Sequence, residues 1–535
     1  MKKHTPLVAA LCRLLPAALA ALALAAAPSA GDGRRWWSYV KYLADDKLEG
    51  RNTGSEGYRK AAAYVAGEFE RAGLKAAGTG GYFQPVKFRT RRILETGCGL
   101  ELLRHGAAEP LALGEDAVIS TRIDPAPRVE AGLVFAGYGL TVPEMHYDDL
   151  AGLDLRGKIV VYLAGSPGNI SGPLRAHYQS APERGRFLER AGVLGAIAIP
   201  DPHHMDIPWA RMALSRFQTS MSLAASGAEE DHGLRFAATW NPARAEKLLA
   251  GTGHTFEELQ ALADAGKPLP RFPLPVSLRA KVEVERAEVE SPNVVALLPG
   301  ADPALENEYV VLSAHLDHLG VGEPIQGDPI YNGAMDDASG VATLLDIAAA
   351  LHHEKARLRR SVLFLAVTGE EKGLLGSRYF ATHPTVDTRH IVADLNVDMF
   401  LPLYPLHLVT VYGLEESDLG DHIREVAAKL GIGVQEDPEP QRNSFIRSDQ
   451  YSFIRSGVPS LAFKDGYRRG TPEEKIFKTW LRERYHAPSD DLCQPVDLQA
   501  AADFNRLVRM LAESVANDPQ RPHWKAASFF RRFAD

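Results

Sequence analysis

Val310-Val311-Leu312-Ser313-Ala314-His315-Leu316-Asp317 is the stretch whose reading decides the fold. It begins as an apolar run of strand length, as a central strand covered on both faces requires, and it ends in a histidine and an aspartate. Two more apolar runs, Ser361 to Thr368 and Ile391 to Val397, repeat the pattern. Between the first two, Val341, Leu344, Leu345, Ala348 and Leu351 are spaced for one buried helical face. From Asn293 onward such strands alternate with amphipathic helices, which predicts an α/β fold: a mixed, largely parallel central sheet flanked by helices.

Ligands of open α/β sheets bind beyond the carboxyl ends of the strands, and here those ends carry metal-type side chains. The first supplies His315, the second Thr368-Gly369-Glu370-Glu371-Lys372-Gly373, the third Asn396-Val397-Asp398. The loop before the helix adds Gly333-Ala334-Met335-Asp336-Asp337-Ala338-Ser339-Gly340, and Arg484-Tyr485-His486-Ala487-Pro488-Ser489-Asp490 adds a second histidine. Two imidazoles and three carboxylates suit a pair of divalent cations, with zinc favoured by the histidines and cobalt or manganese also fitting. One ion would leave this many acids poorly compensated, which buried carboxylates tolerate badly. Each residue alone has a plainer reading: a core histidine, an acid capping a helix, a solvated turn. Their conjunction in one order is what points to a metal centre. His318 and the pair His352-His353 read as surface or loop histidines.

His315-Leu316-Asp317, Asp336-Asp337-Ala338-Ser339-Gly340, Glu370-Glu371-Lys372-Gly373-Leu374-Leu375-Gly376-Ser377, Asn396-Val397-Asp398 and Tyr485-His486 together resemble the co-catalytic zinc aminopeptidase and glutamate carboxypeptidase family. The resemblance spans about residues 34 to 126 and 290 to 515 and implies a zinc-exopeptidase fold. It implies that His315 and Asp398 bind one zinc, Glu371 and His486 the other, that Asp336 bridges both, and that Glu370 is the general base. Neighbouring glutamates on extended backbone face opposite ways, so the turn beyond the strand must bend one of them toward the water, where a carboxylate can pass a proton to the leaving amine. Asp317 is expected behind His315, orienting its ring. The resemblance further implies a cis bond between Asp336 and Asp337, and a Tyr485 hydroxyl that steadies the oxyanion. Arg447-Ser448-Asp449-Gln450-Tyr451-Ser452-Phe453 resembles a pocket-lining segment of bacterial relatives, with Asp449 as partner for a substrate amine.

The implied activity is hydrolysis of N-terminal peptide bonds in a peptide substrate. A carboxypeptidase would use the same centre but needs cations for a terminal carboxylate, for which Arg468 and Arg469 stand in the sequence. A receptor-like, non-catalytic relative would lack ligands, whereas every ligand position is filled here. A single-zinc cyclase fits the Asp398 match and the insertion poorly.

At 535 residues the chain is too long for one ordinary core. The expected organisation is a signal peptide over 1–30, a discontinuous catalytic domain over 31–126 and 292–535, and an inserted β/α domain over 127–291. Val134-Phe135-Ala136-Gly137-Tyr138-Gly139, Tyr147-Asp148-Asp149, Gly157-Lys158-Ile159-Val160-Val161 and Gly195-Ala196-Ile197-Ala198-Ile199 give that insertion its likeness to a protease-associated domain. Lys2, Lys3 and His4 precede an Ala/Leu-rich run to Ala27, which reads as a secretory signal and predicts a periplasmic or secreted protein, with no membrane partner after its removal. A net charge of -8 and no basic stripe argue against nucleic acid. With Cys12 inside the signal, Cys98 and Cys493 remain, and a single bridge between them would need their Cα atoms within roughly 7 Å. The oligomeric state is not readable from the sequence.

Overall fold

The computed structural model describes residues 30–225, 233–354, 356–442 and 444–534; the expected signal peptide and Cys12 lie outside them. Among the described residues a ten-stranded sheet holds the three apolar runs at its centre. Tyr309–His315 runs parallel to Ser361–Val367 on one side and to Ile391–Val397 on the other. Ile391–Val397 in turn pairs in parallel with Ser460–Asp465, while Val284–Leu298 closes the other flank antiparallel to Ser361–Val367. The expected mixed sheet flanked by helices is what the chain forms.

The period of two along each strand explains why whole runs are apolar. Val310, Leu312, Ala314, Val362, Phe364 and Ala366 face one core, which includes the helices Ala30–Leu43, Glu56–Arg71, Ser339–His353 and Leu498–Asn517. Val311, Leu363, Leu365 and Val367 face the other, against Phe380 and Phe453. A fully buried Leu here is worth roughly 1.5–3 kcal/mol relative to exposure, and polar substitution on either face would forfeit it. The first two helices are joined through the tight turn Asp46–Arg51, and the second ends where Gly73 adopts φ +69°. A side chain on Gly73 would press on the ring of His352.

A second, eight-stranded sheet lies within residues 99–281. Its middle is also parallel: Arg128–Ala136, Ile159–Leu163, Gly195–Ile199 and Phe236–Trp240 lie side by side. The sheets divide the chain at points other than 127 and 291. Gly99–Arg104, Ala107–Leu111 and Ala117–Ile119, upstream of 127, pair inside the second sheet. Ser220–Leu223, from the middle of the expected insertion, pairs instead with Phe83–Ile93 in the first. The physical reason is the long antiparallel ladder from Val284↔Ile93 to Val294↔Phe83, which carries the chain out of the first sheet and back. Cys98 and Cys493 are free thiols, so the structure contains no bridge between them.

Candidate metal centre

Loops at the carboxyl edge of the first sheet are fixed by buried polar groups before any metal ligand is considered. Arg51, fully buried, donates to the carbonyls of Leu43, Leu316, Asn332 and Gly333, tying the loop after His315 to the loop before Asp336. Asp490 accepts the N–H groups of Met335 and Asp336 at 3.0 Å. Asp337 caps the following helix: it accepts from Gly340 N at 2.9 Å, and also from Met399 N and His315 N. The Asp336–Asp337 bond is cis, as the resemblance implies.

On this frame the five expected ligands converge. His315 Nε2 lies 3.1 Å from Asp336 Oδ1 and 4.0 Å from Asp398 Oδ1. His486 Nε2 lies 3.2 Å from Asp336 Oδ2 and 3.4 Å from Glu371 Oε2. Asp336 thus turns one oxygen to each group. The Nδ1 of His315 is held at 3.0 Å by the backbone carbonyl of Asp317, which leaves Nε2 free to ligate. This corrects the expectation for Asp317: its carbonyl orients the ring, whereas its carboxylate accepts from Thr53 Oγ1 at 2.9 Å and from Glu370 N at 3.1 Å.

His318 also belongs to this centre. It is wholly buried, not a surface histidine, and its Nδ1 sits 2.8 Å from Glu371 Oε1. Two clusters of donors close enough to share an ion follow: His315, Asp336 and Asp398, and His318, Asp336 and Glu371. Asp336 Oδ2, Glu371 Oε1 and both ring nitrogens of His318 are buried without a hydrogen-bond partner. Such groups are costly to leave unpaired, and a divalent cation among them would engage Asp336 Oδ2, Glu371 Oε1 and one ring nitrogen of His318. The donor set of imidazoles and carboxylates fits zinc.

The electrostatics favour cations. Burial works against a charged imidazole at His315, but Glu370 and Asp336 outweigh it and raise its pKa; at His486 burial is likewise overcome, chiefly by Glu371, and its pKa rises to about 10. Glu370 is pushed well above the carboxylate range by burial, with the charges of Glu371, Asp449 and Asp398 adding to it against the opposing pull of His315. It lines the same cleft as His315, Asp336, Asp398 and His486, an open space of about 750 Å³.

Tyr485 lines that cleft too, its ring 3.9 Å from the His486 ring. Asp449 is entirely buried behind the wall, where Ser448 and Gln450 face the cleft instead. Arg468 and Arg469 are exposed outside it. The cations that do line it are Arg442, Arg447 and Lys464. Lys464 donates to both the backbone carbonyl and Oδ1 of Asp398. Arg447 reaches Asp206 Oδ2 at 2.5 Å and Arg442 pairs with Asp206 Oδ1, so a residue from the stretch between second-sheet strands forms part of the wall. From the same stretch, Arg211 donates to the carbonyls of Tyr485 and Arg482 at 2.6 Å, beside His486.

Residues 293–512 match the model of Peptidase family M28. The chain is 29% identical over 248 residues to a probable leucine aminopeptidase 2 of Aspergillus oryzae, covering 44% of this chain and 45% of the relative. It is 35% identical over 261 residues to a probable zinc metalloprotease of Pyrenophora tritici-repentis, covering 43% and 58%. The chain therefore spans about half the length of the curated relatives it matches. The solved aminopeptidase from Aneurinibacillus sp. strain AM-1 shares the fold at a TM-score of 0.56 and 20% identity, over 91% of this chain and 95% of that one. The family match covers the part of the chain that carries the donor set, and the solved aminopeptidase shares the fold.

Proposed function

We propose that the chain is an exported, two-zinc aminopeptidase acting on peptide N-termini. The observation that carries this reading is Asp336, whose two oxygens face separate groups of ligands while Glu370 stands beside both and lines the cleft. His315 and Asp398 would hold one zinc, Glu371 and His486 the other, with Asp336 between them. When bound, the ions would polarise the scissile carbonyl and acidify a water. Glu370 then accepts the proton from the attacking water and hands it to the departing amine, a task that suits a carboxylate whose pKa is raised by burial. The Tyr485 hydroxyl donates to the oxygen on which negative charge gathers.

The charges in the cleft support an aminopeptidase over a carboxypeptidase. A terminal carboxylate needs a cation to receive it, yet Arg442 and Arg447 are committed to Asp206 and Lys464 to Asp398. The second sheet, with its likeness to a protease-associated domain, would narrow the entrance through Asp206 and Arg211. Lys2, Lys3 and the Ala/Leu-rich run to Ala27 support export, and no helix among the described residues is long and apolar enough to cross a membrane.

Purified protein is expected to carry close to two zinc ions per chain and to release amines from unblocked aminoacyl substrates but not from N-acylated ones. Full activity after exhaustive chelation, or cleavage confined to the carboxyl end of peptides, would overturn the proposal. His486→Ala is expected to lose one ion, measured by elemental analysis.

A further inference from the structure

His318 lies outside the ligand set that the resemblance supplies, yet its environment is that of a ligand. The imidazole is completely buried. Its Nδ1 is 2.8 Å from Glu371 Oε1 and 3.9 Å from Asp336 Oδ2, and its ring stands 5.9 Å from that of His486 at 65°. At 2.8 Å a hydrogen bond to Glu371 would be expected, but the two groups are not aligned as donor and acceptor, and both remain without a partner. The backbone holds the ring there: His318 N donates to Arg51 O at 3.2 Å, and Gly333, at φ +61°, leaves the room. A Cβ on Gly333 would come within 2.5 Å of the imidazole.

Donor spacing makes the case quantitative. In a tetrahedral zinc shell with Zn–N and Zn–O bonds near 2.0–2.1 Å, neighbouring donors stand about 3.3 Å apart. Around Glu371 and Asp336 the separations are 2.8 Å to His318, 3.4 and 3.2 Å to His486, and 3.9 Å from His318 to Asp336. They scatter about that spacing. His318, Asp336 and Glu371 thus lie close enough to share one ion, with the His486 Nε2 beside both carboxylates, whereas His315, Asp336 and Asp398 surround the other point.

We propose that His318 is a direct ligand of the ion on the Glu371 and His486 side, giving that ion four protein donors and leaving the open coordination to the ion at His315 and Asp398. The inference rests on the two-ion reading of the centre. A closed shell of four protein donors is the pattern of tightly held zinc, and a three-donor shell is that of an ion with room for exogenous ligands. The two ions should therefore differ in affinity, the His318 side being the tighter.

The test is metal binding, read without reference to turnover. Zinc content and a graded chelator competition are measured on the wild-type chain and on His318→Ala, with folding checked by circular dichroism. The wild type is expected to release its ions in two steps, and His318→Ala to lose at least tenfold in affinity in the later one. Cobalt-loaded His318→Cys supplies an independent readout. A cysteine sulfur stands nearer its Cβ than Nδ1 does, and the longer Zn–S distance of about 2.3 Å makes up part of the difference. A thiolate-to-cobalt charge-transfer band absent from the wild type, which itself contains Cys98 and Cys493, is then expected even if the alanine variant does not fold. Unchanged affinity for both ions in His318→Ala, or no such band in folded His318→Cys, would overturn the assignment while leaving the two-zinc reading intact. A wild-type chain that binds a single ion would overturn that reading as well.

Discussion

The two sheets solve the same packing problem and use their strand ends for opposite purposes. In each, parallel strands lie side by side in the middle and leave through loops at their carboxyl edges. In the second sheet the strand Arg128–Ala136 runs into Gly137-Tyr138-Gly139, which wraps around Asp149. That carboxylate takes N–H donors from Tyr138 and Leu140 and the hydroxyl of Tyr147, so its charge is consumed in closing a turn. At the edge of the first sheet Asp317, Asp337 and Asp490 fasten loops in the same way, but Asp336 Oδ2 and Glu371 Oε1 are buried without a hydrogen-bond partner. A buried acid with a full set of N–H partners is a fastening, whereas a cluster of buried acids without them favours cations. The architecture is common to both regions, and the chemistry resides in what the edge residues leave unsatisfied.

The strongest way to break this contrast is Glu370→Gln. The amide keeps the shape and removes the proton acceptor, so turnover should fall on the order of 10²- to 10⁴-fold with both zinc ions retained, as measured by steady-state kinetics beside elemental analysis. Near-normal rates in that variant would place the chemistry elsewhere. Intermediate in size is Asp206→Ala, which sharpens the comparison by asking how far the second sheet's chain serves the first sheet's edge. Two arginines of the cleft wall lose their shared partner. The loss of charge-assisted hydrogen bonding, roughly 1.5–3 kcal/mol, corresponds to about a ten- to hundredfold drop in kcat/KM, carried mainly by KM. An unchanged KM would assign Asp206 a purely structural place.

How much of this could be read in the sequence depends on the range of the interaction involved. Val310 to Ala314, Ser361 to Thr368 and Ile391 to Val397 were legible as strands because burial on both faces leaves a continuous apolar record. The five candidate ligands were legible because each sits at a strand end or in a distinctive loop. The edge of the second sheet was not: Ala107–Leu111 is largely exposed and its place is set by pairing with Gly99–Arg104, not by its own composition. His318 was lost for a related reason. Next to Asp317 it reads as one more polar residue of a loop, and only the folded chain brings it to Glu371, far along the sequence. Its one local signal is its position between Leu316 and Leu319, both buried. Asp206 and Arg211 lie in a stretch without strong periodicity, and their partners, Arg442, Arg447 and the Tyr485 carbonyl, are all distant.

The smallest effect is expected where the comparison predicts a fastening and nothing more. Tyr147→Phe removes the hydroxyl that donates to Asp149 Oδ1 at 2.6 Å. Burial raises the Asp149 pKa to about 6, against the lowering pull of its hydrogen bonds from Tyr147, Leu140 and Tyr138. Losing one hydrogen bond to a charged group costs roughly 1.5–3 kcal/mol at a buried site, and Tyr147 is half-buried, so the lower part of that range is expected near neutral pH. Without the hydroxyl the carboxyl is held at a still higher pKa, so the folded variant binds more protons than the wild type as pH falls through about 6. The gap in stability between variant and wild type should therefore narrow on acidification, as read by denaturant titration at neutral pH and near pH 5. Activity per folded molecule should not change. A gap that widened toward low pH, or a loss of turnover in the folded variant, would mean that the second sheet's closed turns reach the chemistry of the first.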